Sequence, residues 1–141
     1  MAALTARKIA RTRNVANTTR EYPVAGTQKI WAGALVMLDS AGYAREAVAL
    51  ASNKGCKGWA TATVDNLTGA AGAVKVPVAE GEIELTTSGL TQGAVGSLCY
   101  ATSDQDIVLA KATTRPLVGE IVGFDSATSV WVLVGPGLRQ S

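Results

Sequence analysis

Residues 117 to 134 read LVGEIVGFDSATSVWVLV. Two apolar runs, 117–124 and 130–134, flank a polar stretch at 125–129, and Gly135-Pro136-Gly137 stop the second run. Runs this short, rich in Val and bounded by turn residues, read as the two strands of a β-hairpin. In the second strand Val130, Val132 and Val134 share one face while Trp131 and Leu133 share the other, because side chains alternate along a strand. Both faces are apolar. An antiparallel strand with one face on the core normally shows water a polar one. Something must therefore cover Trp131 and Leu133, either the chain itself or another subunit. On the second alternative these two residues are a candidate subunit interface.

The same texture extends back through the chain. Residues 97–109 form another hairpin around Ser103-Asp104-Gln105-Asp106, where Asp is favoured for its local hydrogen bonds. Ile83 and Leu85 alternate with Glu82 and Glu84. Val74, Val76 and Val78 alternate with Lys75 and Pro77, and that proline predicts an edge strand or a bulge. Trp59, Thr61 and Thr63 alternate with Ala60, Ala62 and Val64. Leu35-Val36-Met37-Leu38 is a strand that turns at 39–42 into Tyr43-Ala44-Arg45. Only two stretches suit a helix, residues 44–52 and, in the N-terminal segment, residues 2–10. Eight or nine short strands at spacings of about 8–12 residues predict an all-β domain, a small barrel or sandwich.

A chain of 141 residues fits one domain, and at this size folding buries roughly 68–70% of the unfolded surface, enough to need no disulfide. No apolar run approaches the roughly 20 residues needed to cross a bilayer. The start lacks the apolar core of a secretory signal. It has the Arg-rich, acid-poor composition of a mitochondrial transit peptide, which nothing in the body supports. Synthesis in a reducing cytoplasm follows, with Cys56 and Cys99 as reduced, buried small hydrophobes.

The net charge of +2 hides an asymmetry. Residues 1–20 hold five of the 13 cations (Arg7, Lys8, Arg11, Arg13 and Arg20) and none of the 11 acids; the remainder holds 8 cations against 11 acids, a charge of −3. The chain therefore divides into a basic arm, 1–20, and a mildly acidic body, 21–141. Such an arm seeks an anionic partner. It has no aromatic residue before Tyr22, so the stacking platforms of single-strand binders are missing, although phosphate contacts alone would hold a duplex. Its low apolar content predicts mobility in the free protein and ordering on contact.

Chemistry is sparse. The chain has no histidine, which removes the commonest general base and metal ligand. Two cysteines cannot close a structural zinc site. Glu80, Glu82 and Glu84 fall on one face of an extended segment, which reads as the wet face of an ordinary strand rather than a glycosidase pair. The loop carrying Asp104 and Asp106 is too short in oxygen ligands for calcium. No GxGxxG or GxxxxGK occurs, so the glycines serve turns. Asn17-Thr18-Thr19 and Asn66-Leu67-Thr68 fit the glycosylation pattern by chance. The residues name no catalytic group, cofactor or metal.

The order of segments carries a resemblance. It runs AGALVMLDSAGYARE (32–46), KGWATATVDN (57–66), VKVPVAEGEIELTTSGLTQGAVGSLCYATSDQD (74–106) and RPLVGEIVGFDSATSVWVLVGPG (115–137). With its G-x-L-V opening strand, G-x-x-x-Y hairpin, P-L-V-G strand and closing V-W-V-L-V, roughly residues 24–135 resemble the small capsid decoration proteins of tailed bacteriophages, also called cement or head-stabilising proteins. The resemblance implies a β-barrel or β-tulip domain, with an extended N-terminal arm, on the outside of the virion capsid. It implies a homo-oligomer, a trimer before a dimer, clamping neighbouring copies of the major capsid protein. Arg7, Lys8, Arg11, Arg13 and Arg20 then become the capsid-docking arm, with more positive charge than the family leads one to expect. No small-molecule substrate, cofactor or membrane is implied. The rival readings are a nucleic-acid-binding module using the arm, and a tail-tube or head-completion subunit of similar texture.

Overall fold

The computed structural model describes residues 3–16 and 19–135. The fold is all-β, with thirteen strands among the described residues. In chain order these are β1 (Thr12–Arg13), β2 (Arg20–Pro23), β3 (Gln28–Ile30), β4 (Leu35–Leu38), β5 (Ala44–Glu46), β6 (Cys56–Ala60) and β7 (Val64–Asn66). There follow β8 (Lys75–Ala79), β9 (Gly81–Thr86), β10 (Leu98–Ala101), β11 (Ile107–Val108), β12 (Leu117–Ser126) and β13 (Ser129–Val134). The surplus over eight or nine comes from two- and three-residue pieces such as β1, β3, β5 and β11, too short to show any alternation.

Two antiparallel sheets dominate. One has the order β1-β9-β13-β12-β10-β11 and the other β2-β8-β6-β4-β5, while β3 and β7 pair separately. A parallel bridge between Val24 and Ala44 draws the two edges of the five-stranded sheet together, and another between Thr86 and Asp106 does the same across the larger sheet. The five-stranded sheet is thereby curled around one core, formed by Val24, Ile30, Ala34, Val36, Ala44, Ala60, Val76 and Val78. Its other face packs on the six-stranded sheet through a larger core that includes Leu35, Met37, Cys56, Trp59, Ile83, Leu85, Ile121, Val130 and Val132.

β4 lies between the two cores. Leu35 and Met37 enter the larger one and Val36 the smaller, all three fully buried. A strand buried on both faces has no polar side to show, which is why this run is apolar without alternation. Burying a Leu side chain contributes about 1.5–3 kcal/mol.

Three local expectations are corrected. Residues 44–52 form no helix: Ala44–Glu46 is β5, paired with β4 in the register Leu38↔Ala44, and the Ala47 amide donates to the Leu35 carbonyl at 2.9 Å. Pairing with a buried strand overrides the weak helical preference. Residues 3–10 are not helical either. Pro77 lies in an interior strand, since β8 is flanked by β2 and β6. The proline is tolerated because Thr61, which donates to the Pro77 carbonyl, lies just beyond the end of β6. A strand residue's N–H and C=O point the same way, so the missing donor faces no paired strand residue.

Replacing Leu35 by Ala should lower unfolding free energy by about 2–5 kcal/mol in a urea titration. A loss well below 1 kcal/mol would show that the larger core closes without β4.

Candidate functional site

The described part of the N-terminal segment lies on the body. It runs along the β9 edge of the larger sheet as a strap. β1 pairs antiparallel with β9, in the register Thr12↔Ile83 and Arg13↔Glu82. Main-chain bonds continue the seam on either side: Lys8 N–H to the Ala32 carbonyl (2.8 Å), Glu84 N–H to the Arg11 carbonyl (3.0 Å) and Ala16 N–H to the Glu80 carbonyl (2.9 Å). The division at residue 20/21 falls inside β2.

The side chains follow the same track. Arg11 Nη1 donates to Glu84 Oε2 at 2.7 Å and Arg13 Nε to Glu82 Oε1 at 2.6 Å. The Asn14 amide takes the other Glu82 oxygen at 2.7 Å, and Arg20 Nε meets Glu80 Oε2 at 2.9 Å. Arginines two apart on one strand meet glutamates two apart on its antiparallel neighbour. The three glutamates read as a plain wet face are therefore the acceptors of the strap, and Glu80, only 3% exposed, is not on the wet face at all. Burial alone would raise the Glu82 pKa, but the Asn14 and Arg13 bonds and the Arg13 charge outweigh it and hold it below the ordinary value. This contribution is present above the usual glutamate range and is lost as pH falls through the lowered pKa.

Trp131 closes the site. It is 9% exposed. The Arg13 guanidinium lies 4.2 Å from its ring centroid and that of Arg11 5.4 Å. The second apolar face of β13 is thus covered at Trp131 by the chain itself. Of the two alternatives for this face, the contacts at Trp131 are those of cover by the chain itself: a cation over the ring face is an attractive cover. Leu133 is half-buried on the same strand.

The body also makes room for the strap. A Cβ on Gly33, whose φ is +89°, would strike the Lys8 carbonyl oxygen. One on Gly81 would stand 2.8 Å from Val15 Cα, and one on Gly123 2.8 Å from Arg13 Nη2. Three body glycines far apart in sequence each leave out a side chain where the strap passes.

These contacts give the arm a seat on the body. Its apolar content is indeed low, with Ile9 88% exposed, but polar contacts and a short ladder hold it. Exposed ion pairs contribute only about 0.2–1 kcal/mol each. The strap therefore opens before the body does. Of the five arm cations, Arg11, Arg13 and Arg20 are matched to carboxylates, whereas Arg7 and Lys8 make no ion pair among the described residues.

A second feature lies under the start of the strap. Asp104 is fully buried, its Oδ1 accepts from the Leu4 N–H at 2.8 Å, and its Oδ2 has no hydrogen-bond partner among the described residues. Burial pushes its carboxyl up to about 6 against the pull of the Leu4 bond, with the Glu46 and Asp106 charges adding to the rise. Asp106 is held by Ser103 Oγ at 2.7 Å. No group of three or more His, Cys, Asp or Glu among the described residues is placed to hold a metal ion. Cys56 and Cys99 are both buried, and burial raises the Cys99 thiol to about 12, leaving it unreactive. The Asn66 side chain is buried, donating to the Ala25 and Ala70 carbonyls at 3.1 and 3.0 Å, so it is no glycan acceptor; Asn17 lies outside the described residues. No helix among the described residues is long and apolar enough to cross a membrane. Comparison of the chain with family models, curated proteins and solved structures found no match.

Two outcomes follow. Glu82→Gln with Glu84→Gln should speed tryptic cleavage at Arg13 several-fold while lowering global stability by no more than about 1–2 kcal/mol; an unchanged cleavage rate would mean the ion pairs do not hold the strap. For Asp104 the sign is opposite to that of Glu82. A raised carboxyl pKa means that stability is fullest below the usual aspartate range and falls as pH rises through about 6. Asp104→Asn should therefore melt above the parent near pH 7, with the gain vanishing near pH 4. A lower melting temperature at neutral pH would reveal a cation that pairs with Asp104.

Proposed function

We propose that this chain is a structural protein of a phage virion, attached to the outside of the capsid and stabilising it by bridging neighbouring major-capsid subunits. The order of β segments over residues 24–135 supports the reading. The observation that carries it is the strap: a light, peripheral segment held on a rigid β body by contacts that polar groups of another surface can replace. A cement protein needs such a body, together with a segment that reorganises when it meets the lattice. Many copies on one lattice then gain from avidity.

The geometry favours this reading over a nucleic-acid module built on the arm. Phosphates would have to displace carboxylates already bonded to Arg11, Arg13 and Arg20, leaving Arg7 and Lys8 as the readily available arm cations. Two phosphate contacts give weak binding at physiological salt.

The test is to add the purified protein to expanded, DNA-free heads of the phage that encodes it. Saturable binding that raises the melting temperature of the heads is the expected outcome. Duplex binding with a steep salt dependence, together with bare heads, would replace the capsid reading by the nucleic-acid one.

A further inference from the structure

A hollow of about 530 Å³ lies where residues 53–55 meet residues 111–117. Lys54, Lys111 and Arg115 stand around it, beside Leu98, Tyr100 and Leu117. None of these three cations makes an ion pair among the described residues. Three basic residues line one concavity, and an anion placed there is attracted by all three.

The two loops are fixed in place. The Leu50 N–H donates to the Thr114 carbonyl at 2.8 Å, tying one loop to the other, and the Lys54 N–H donates to the Leu38 carbonyl at 2.9 Å. Asn53 bonds the Leu50 carbonyl at 2.8 Å and accepts from the Gly55 N–H at 2.9 Å. Arg115 Nη1 donates to the Ala110 carbonyl at 2.8 Å, which orients the guanidinium. That group carries five N–H donors in a fixed fork, so its remaining ones suit a carboxylate. Leu98 is 48% exposed beside them.

From this arrangement we propose that the hollow docks an acidic segment of a partner protein, glutamate or aspartate side chains meeting Lys54, Lys111 and Arg115 while an apolar side chain covers Leu98. A nucleic-acid backbone fits less well. Phosphates follow one another along a path and want a stripe of cations, whereas these three surround a single hollow with an apolar wall. The cations of the arm are clustered in the sequence, yet Arg11, Arg13 and Arg20 are already matched to carboxylates. The cations of the hollow come from positions 54, 111 and 115 and are not. The proposal stands independently of the capsid reading, because the partner is defined by its charge.

The experiment is a titration of the isotope-labelled full chain, followed by amide NMR, with a capped hexapeptide of alternating glutamate and leucine. Shifts at Gly55, Tyr100 and Lys111 to Arg115, weakening with added salt, are expected. Lys54→Gln with Lys111→Gln, which leaves the Arg115 loop bond intact, should raise the dissociation constant about tenfold, or 1.4 kcal/mol. The same peptide with glutamine for glutamate should not bind. The proposal is overturned if these amides stay still, if the glutamine peptide binds equally, or if inorganic phosphate or oligothymidylate shifts them more strongly than the acidic peptide does.

Discussion

Leu35, Val36 and Met37 are successive residues of one short strand, and each is fully buried, in alternate directions. That double burial holds the molecule together. The five-stranded sheet has one core inside its curl and another against the larger sheet, and β4 supplies side chains to both. A slip of one residue in β4 would send Leu35 and Met37 into the smaller core and Val36 into the larger. Close packing on both sides makes either exchange costly. With β4 and its neighbour β6 fixed, the register of β8 against β6 follows, and β9 leaves the Glu80 corner on a defined line. The acidic ladder that receives the strap is therefore positioned by a strand of the other sheet.

Residues differ in how openly they announced their places. The closing hairpin was legible because its signal is local: apolar runs, a polar turn and a Gly-Pro-Gly stop lie within one short stretch. The alternation at Val74, Val76 and Val78, and at Ile83 and Leu85, gave the buried faces for the same reason. Residues 44–52 misled because Ala-rich composition suits a helix, while the deciding contacts, to Leu35 and Leu38, come from another strand. Pro77 misled because whether a proline sits at an edge depends on where the neighbouring strand ends.

The strap was half legible. Five cations in the first twenty residues and three alternating glutamates were both visible, and both share a two-residue period at Arg11/Arg13 and Glu82/Glu84. Pairing them required the assumption that the anionic partner was the chain itself. Gly33, Gly81 and Gly123 carried no signal of their own, since a glycine that clears a path looks like one that makes a turn. The basic hollow was invisible for a plainer reason: Lys54 lies far along the chain from Lys111 and Arg115.

Arg11 and Glu84 are 73 residues apart, and Arg13 and Glu82 are 69 apart. A chain made from its N-terminus exposes the strap first and its seat much later. When the arginines leave the ribosome neither β9 nor Trp131 exists, and the segment spends most of synthesis as a loose cationic end. It can settle only after β13 has joined β9 and brought the indole into place, and such long-range closures come late in folding. Strap docking is therefore a record of completion: a chain whose last hairpin has failed to form has no seat for its first residues, and its N-terminus stays open to proteases.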